Sequence, residues 1–223
     1  MKFTSIAIDG PSGAGKSTIA RKVAAELGFL YVDTGAIYRS VSLYAYRAGV
    51  DKEDAERIVA LLPQVQIDME YREDGVQHMI LNGEDVTDAI RENEVSLYTS
   101  AVSAIPEVRA FLLDLQRNLA ATRNVIMDGR DIGTVVLPDA TVKIYLTAAP
   151  EARARRRWLE LKEKGSDITE AQVLEDVLQR DYNDTHREIA PLRQAEDAVL
   201  VDTTALDLEA SYQLLLNTIR ERI

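Results

Sequence analysis

The sequence contains no cysteine, which excludes disulfides, thiolate metal sites and a cysteine nucleophile. Histidine is nearly as scarce: His78 and His186 are too few for a histidine-based metal centre. No apolar run approaches the roughly 18 residues that a membrane-spanning helix requires. Met1-Lys2 leads straight into a short strand pattern with no cleavable small-residue site, so a cytoplasmic chain is expected. Positive charge is in deficit: 26 Lys+Arg against 37 Asp+Glu leave a net −11. That balance disfavours nonspecific attachment to nucleic acid or to anionic membranes. What is present is an ordinary globular composition, 46% hydrophobic and 28% charged over 223 residues. It suits one α/β domain carrying an insertion.

Thr4-Ser5-Ile6-Ala7-Ile8-Asp9 is short, apolar and β-branched, and predicts a buried strand. A glycine-rich turn follows, then Ile19, Val23 and Leu27 at helical spacing, with Gly28 placed to stop the helix. Leu30-Tyr31-Val32-Asp33 predicts a second strand, completing the βαβ unit of an open parallel sheet. A helix over 36–48 should end at Gly49, and Asp51 is the expected cap of another that carries Ile58, Val59 and Leu62 and ends at Pro63.

The period then changes to two: Val65, Ile67, Met69 and Tyr71 alternate with polar residues. Asp74-Gly75 and Asn82-Gly83 are hairpin turn signals, so a small antiparallel meander is inserted in the α/β chain. Helical patterning resumes with Val95, Tyr98, Val102 and Ile105, breaks at Pro106, and returns from Val108 to Leu119. Segments 124–128, 142–147 and 198–202 predict further strands. Pro150 suits a first helical position, in a helix that should run to about Lys164 before Gly165. Thr169 and Gln172 have capping-box spacing, and Leu208, Tyr212, Leu215 and Ile219 outline a closing helix.

Gly10-Pro-Ser-Gly-Ala-Gly15-Lys16-Ser17 fits the pattern G-x-x-x-x-G-K-[ST], between a predicted strand and a predicted helix. Its glycines let successive N–H groups converge on phosphate oxygens, and the helix start adds a positive dipole end. Gly10, Pro11, Ser12, Gly13, Ala14, Gly15, Lys16, Ser17 and Thr18 are therefore the candidate ATP-binding residues. Lys16 would reach the β/γ oxygens and Ser17 would coordinate Mg²⁺. The absence of an Asn-Lys-x-Asp motif argues against a GTPase.

Arginines stand where an anion clamp needs them despite the acidic total: Arg39, Arg130, the run Arg153, Arg155, Arg156 and Arg157, and Arg180 and Arg187 around Asp184. Arg153, Arg156 and Arg157 share a helix face, whereas Arg155 reads as solvated. Together these segments resemble the bacterial cytidylate kinases. The resemblance rests on Asp9-Gly-Pro-Ser-Gly-Ala-Gly-Lys-Ser17, Asp33-Thr-Gly-Ala-Ile-Tyr-Arg39 and Asp128-Gly-Arg-Asp-Ile-Gly-Thr-Val-Val136. Arg153-Ala-Arg-Arg-Arg157, Arg180-Asp-Tyr-Asn-Asp184 and Ala190-Pro-Leu192 follow in family order.

The resemblance implies a parallel-sheet P-loop kinase core with helices on both faces, a small antiparallel β insertion and a mobile arginine-rich helical lid. The core would comprise 1–34, 88–150 and 182–223; the monophosphate-binding region 35–87, with the insertion at about 64–87; and the lid 151–181. It implies transfer of a phosphoryl group from ATP, with Mg²⁺, to CMP or dCMP by a cytoplasmic monomer. Arg39, Arg130 and Arg187 would hold the acceptor phosphate, and Thr34 would touch the acceptor nucleotide. Ser100, Arg109 and Asp131 would face the cytosine, and Arg180 and Asp184 the pentose. Lys16, Arg130, Arg153, Arg156 and Arg157 would serve the transfer itself, and Ser17 and Asp128 the metal.

Structural alternatives stand beside these roles. Asp131 and Asp184 could be helix-cap carboxylates, Ser100 a helix-surface serine, and Asp128 the cap of its following turn. Trp158 reads as packing, and His186 as incidental. UMP, dTMP or a shikimate-like acceptor would fit the same loop, as would a nucleotide-binding regulator. Lys16→Ala is expected to lower turnover by roughly 10³-fold with the circular dichroism spectrum unchanged; unaltered turnover would remove the loop from the chemistry.

Overall fold

The computed structural model describes residues 3–72 and 77–223. In chain order its elements are β1 (Ser5–Asp9), α1 (Lys16–Leu27), β2 (Leu30–Asp33), α2 (Thr34–Arg47), α3 (Ala55–Leu61) and β3 (Ile67–Tyr71). There follow β4 (Gln77–Leu81), β5 (Glu84–Asp85), α4 (Asn93–Val102), α5 (Pro106–Thr122), β6 (Val125–Gly129) and β7 (Val142–Thr147). The chain closes with α6 (Pro150–Glu163), α7 (Glu170–His186), β8 (Val199–Asp202) and α8 (Leu208–Arg220). A π turn, Ile132–Val136, follows β6. The chain divides into two compact units, Met1–Tyr31 with Arg123–Ile223, and Val32–Thr122.

The first unit is built on a five-stranded sheet of order β2-β6-β1-β7-β8. β1 pairs in parallel with β6 and β7, and β7 with β8. Ile6 and Ile8 project to one face with Ile126, Ile144 and Leu146, where Ile19, Ala20 and Val23 of α1 and Leu215, Leu216 and Ile219 of α8 complete the core. Ala7 and Met127, on the opposite face, are buried as well. Burial on both faces explains why these strands are continuously apolar rather than alternating.

The helix signals hold. Gly28 sits at φ 68° and closes α1, Pro150 opens α6, and the Thr169–Gln172 capping box opens α7. α6 and α7 pack through Ala154, Val173 and Val177, with Trp158 against them. The Trp158 indole N–H donates to the Ile168 carbonyl at 3.1 Å, so this ring is packing.

In the second unit α2 packs against α4, and β3-β4-β5 form the antiparallel meander. Asn82 at φ 50° and Gly83 at φ 86° make the β4–β5 turn, with both residues in the left-handed region that such hairpins need. The Asp74-Gly75 signal lies outside the described residues. One expectation is corrected: Asp54, not Asp51, caps α3, its carboxylate accepting from the Arg57 N–H at 3.1 Å. Asp51 instead accepts from the Glu53 N–H at 2.9 Å, stabilising the turn before the helix.

Gly10 follows β1 at φ 152°, and a Cβ there would stand 1.9 Å from the Leu146 carbonyl oxygen of the neighbouring strand. Gly10→Ala is therefore expected to cost roughly 3 kcal/mol or more, read as a large fall in Tm; a Tm within a degree of the parent would contradict this packing.

Candidate active site

The phosphate loop leaves the carboxyl end of the central strand β1, the place where open α/β sheets bind ligands. Gly13 at φ 75° and Gly15 at φ 83° turn the backbone, and Lys16 and Ser17 begin α1. Lys16 is buried, and its Nζ donates to the Pro11 carbonyl at 2.8 Å. Burial, helped by the nearby Arg130 guanidinium, pulls its pKa down to about 7. Ser17 Oγ donates to Asp128 Oδ2 at 2.8 Å, and the Tyr31 hydroxyl donates to Oδ1 at 2.9 Å. Asp128 is thus aimed at the loop serine.

Such a hydroxyl–carboxylate pair supplies hard oxygen donors suited to a Mg²⁺ that keeps phosphate and water in most of its shell. Among the described residues no group of three or more His, Asp or Glu side chains is placed to hold a metal by itself. The donor set therefore fits a metal that arrives with a nucleotide.

β6 delivers Asp128-Gly-Arg-Asp131 beside this loop, because β1 and β6 run in register from Ser5↔Val125 to Asp9↔Gly129. Two ion pairs cross from this segment to the end of α7. Arg130 Nε donates to Asp184 Oδ2 at 2.6 Å, and Arg187 Nη2 donates to Asp131 Oδ1 at 3.3 Å. Arg130-Asp131 thus meets Asp184 and Arg187 with the signs inverted. Asp184 lies in the last turn of α7, and Asp131 makes no cap hydrogen bond of its own, so neither is a helix-cap carboxylate. Ala190, at φ 48°, turns its carbonyl onto Arg187 Nε at 2.6 Å. Leu192 N–H donates to the Asp184 carbonyl at 2.8 Å, so the Ala190-Pro-Leu192 segment fixes both members of α7's end. Arg180, one turn earlier on α7, is exposed.

The arginine run divides among several tasks. Arg153 is buried; its Nε donates to the Ala148 carbonyl at 2.8 Å, Nη1 to the Ser12 carbonyl of the phosphate loop at 2.9 Å, and both terminal nitrogens reach Asp181. Arg156 donates to the Thr203 carbonyl at 2.6 Å, while Arg157 pairs with Glu160 at 3.2 Å on the surface. Arg155 is exposed, as expected.

In the second unit the Asp33–Arg39 segment forms one device. Asp33 Oδ1 caps α2 by accepting from the Ala36 N–H at 2.9 Å, and Oδ2 accepts from Arg39 Nη2 at 3.1 Å. A Cβ on Gly35 would meet Asp33 Oδ1 at 3.1 Å and Arg39 Nη1 at 3.3 Å, which is why a glycine stands between them. Arg39 Nε is buried without a hydrogen-bond partner, an unsatisfied donor. Thr34 is the buried first residue of α2. Arg109 is buried, donates to the Ser103 carbonyl at 3.2 Å and lies 5.6 Å from the Tyr38 ring centroid. Ser100, on α4, is exposed.

Two contributors escaped the sequence reading. Asp9 binds the backbone of the π turn, and Asp33 carries both a helix cap and an arginine. Both residues stand in segments that carry the family resemblance, which assigned neither of them a role.

A parallel sheet with this loop on its central strand, a serine–carboxylate pair beside it and arginines near by defines a phosphate-loop phosphotransferase. The family model for cytidylate kinase matches residues 6–221, and the chain belongs to that family. The cytidylate kinase of Caldicellulosiruptor bescii is 51% identical over 216 residues, 97% of this chain and 95% of that protein. That of Carboxydothermus hydrogenoformans is 51% identical over 214 residues, covering 96% of each. That of Desulfitobacterium hafniense is 47% identical over 222 residues, 100% of this chain and 95% of its own. Among solved structures, an uncharacterized protein from Eubacterium ventriosum shares the fold at a TM-score of 0.55 and 12% identity, over 99% of this chain and 100% of that one.

A lysine with a pKa of about 7 is mostly neutral at pH 8, and polyphosphate oxygens favour its charged form. Nucleoside triphosphate binding at pH 8 should therefore take up roughly one proton, read by calorimetry in buffers of different ionisation enthalpy. The uptake should shrink toward pH 6 and disappear in Lys16→Met.

Proposed function

We propose that the protein is a nucleoside-monophosphate kinase that transfers the γ-phosphoryl group of ATP to CMP and dCMP. The observation that carries this reading is the emergence, from adjacent strands of one sheet, of a phosphate loop and a second set of anion-directed groups headed by Arg130. A nucleotide-binding protein that only senses ATP has little use for the second set. Relatives named cytidylate kinase, about half identical over almost the whole chain, support CMP as the acceptor.

The acceptor is already an anion, so no strong general base is required. The barrier is alignment and charge crowding, and the protein contributes positioning and electrostatic stabilisation. Residues 10–18 hold the ATP phosphates, with Lys16 on the β/γ oxygens. Ser17 and Asp128 would hold a Mg²⁺, which would supply neutralisation of phosphate charge. Arg39, Arg130 and Arg187 bind the acceptor phosphate, and Thr34 its nucleotide. The partnerless Nε of Arg39 supports its share of this task. Asp131 accepts from the exocyclic amine of cytosine, where uracil would present an oxygen. Arg109 donates to the ring acceptors, and Ser100 adds a hydroxyl. Asp184 and Arg180 serve the pentose.

Residues 151–181 act as the lid. Arg153, Arg156 and Arg157 bring positive charge to the transferring group and exclude water, the competing acceptor. The lid reading is supported by the separate apolar cluster of α6 and α7 and by the bond from Arg153 to the loop carbonyl of Ser12. The enzyme acts as a cytoplasmic monomer.

ADP release measured with CMP, dCMP, UMP, dTMP and shikimate tests the assignment: CMP and dCMP should exceed the others in kcat/KM by about 10² or more. Equal use of UMP, or a preference for shikimate, would refute it. Asp131→Ala should erode the preference for CMP over UMP far more than it weakens ATP binding.

A further inference from the structure

Asp9 ends the strand that carries the phosphate loop, and no step of the transfer proposed above uses it. Asp9 is nevertheless 4% exposed, and both oxygens of its carboxylate accept hydrogen bonds. Oδ1 accepts from the Ile132 N–H and Oδ2 from the Gly133 N–H, both at 2.7 Å. These are the first two N–H groups of the Ile132–Val136 turn, the groups that a helical turn leaves unsatisfied at its start. An aspartate at the cap position ordinarily supplies that acceptor from its own side chain. Asp131 occupies the cap position here, at φ −145°, makes no cap bond, and accepts from Arg187 instead. Gly133 suits the same arrangement, since a Cβ on it would stand 3.3 Å from Asp9 Oδ2.

We propose that Asp9 is a positioning residue that caps the 132–136 turn from the neighbouring strand and so keeps the Asp131 carboxylate turned away from that turn, to Arg187 and to the acceptor base. The proposal rests on the reading of Asp131 as the group that distinguishes cytosine. Two charge-assisted bonds of 2.7 Å fix the turn more firmly than a self-cap, which would also turn Asp131 inward. Burial works against this charge and raises the Asp9 pKa to about 6, so the ionised form is held at a cost in stability. An amide at position 9 could accept from one N–H but would present its own NH₂ to the other.

The test is steady-state kinetics with CMP and UMP on Asp9→Asn, Asp131→Ala and the double variant. Asp9→Asn should lower the CMP-over-UMP ratio of kcat/KM by about 10-fold and raise KM for CMP more than KM for ATP. The double variant should discriminate no worse than Asp131→Ala alone. A lower Tm with the ratio and the KM values preserved would make Asp9 a stabilising residue only and overturn the proposal. An unchanged ratio in Asp131→Ala overturns the base-reading role and the proposal together; a changed ratio there with none in Asp9→Asn overturns the proposal alone. Should Asp9→Asn fail to fold, Gly133→Ala, whose Cβ crowds Oδ2, must show a smaller loss of the same ratio, and an unaltered ratio decides against the proposal.

Discussion

Charge taken out of water must be answered within a few ångströms, and that constraint shapes the carboxyl edge of the sheet. Asp9, Lys16, Asp128 and Asp131 are all buried where β1 and β6 end. Each unanswered ion would cost several kcal/mol in desolvation. The structure answers them singly: two backbone N–H groups for Asp9, a carbonyl for Lys16, two hydroxyls for Asp128 and a guanidinium for Asp131. The result is a bed of oriented dipoles and charges that needs little rearrangement when a phosphate arrives, the condition under which electrostatic stabilisation is largest.

The same economy recurs within the second unit. Asp33 caps α2 with one oxygen and steers Arg39 with the other, while its own N–H donates to Gln77 Oε1 at 2.8 Å. Three consecutive roles on one residue tie the end of β2, the start of α2 and the start of β4 together. Arg39 is held by an anion on one nitrogen and keeps a buried donor on another. It is oriented without being satisfied.

Much of this was legible in the sequence, for reasons that can be named. Local signals succeeded: β7 occupies the predicted 142–147, Gly28 closes α1, the Thr169–Gln172 box opens α7, and Asn82-Gly83 turns the hairpin. Each depends on residues within a few positions of one another. The phosphate loop is local too, and its motif located Ser17, while the Asp128 segment followed from resemblance. What stayed hidden is long-range. Asp9 reaches 123 residues along the chain to Ile132, and no periodicity announces such a bond. The five residues Ile132–Val136 form a π turn because Asp9 and the Asp131 carbonyl take up their N–H groups. Arg153, Arg156 and Arg157 share a helix face by their spacing, whereas burial separates Arg153 from the exposed Arg157. Asp51, the expected cap of α3, instead braces the preceding turn, and Asp54 caps the helix.

The parallel register of β1 and β6, Ser5 opposite Val125 through Asp9 opposite Gly129, has a consequence for sequence drift. Because side chains alternate between faces, one residue gained or lost in either strand would flip its neighbours and draw Asp9 away from Ile132. The two segments are thus bound to a common length although more than a hundred positions separate them, and an indel in one cannot be repaired from within the other.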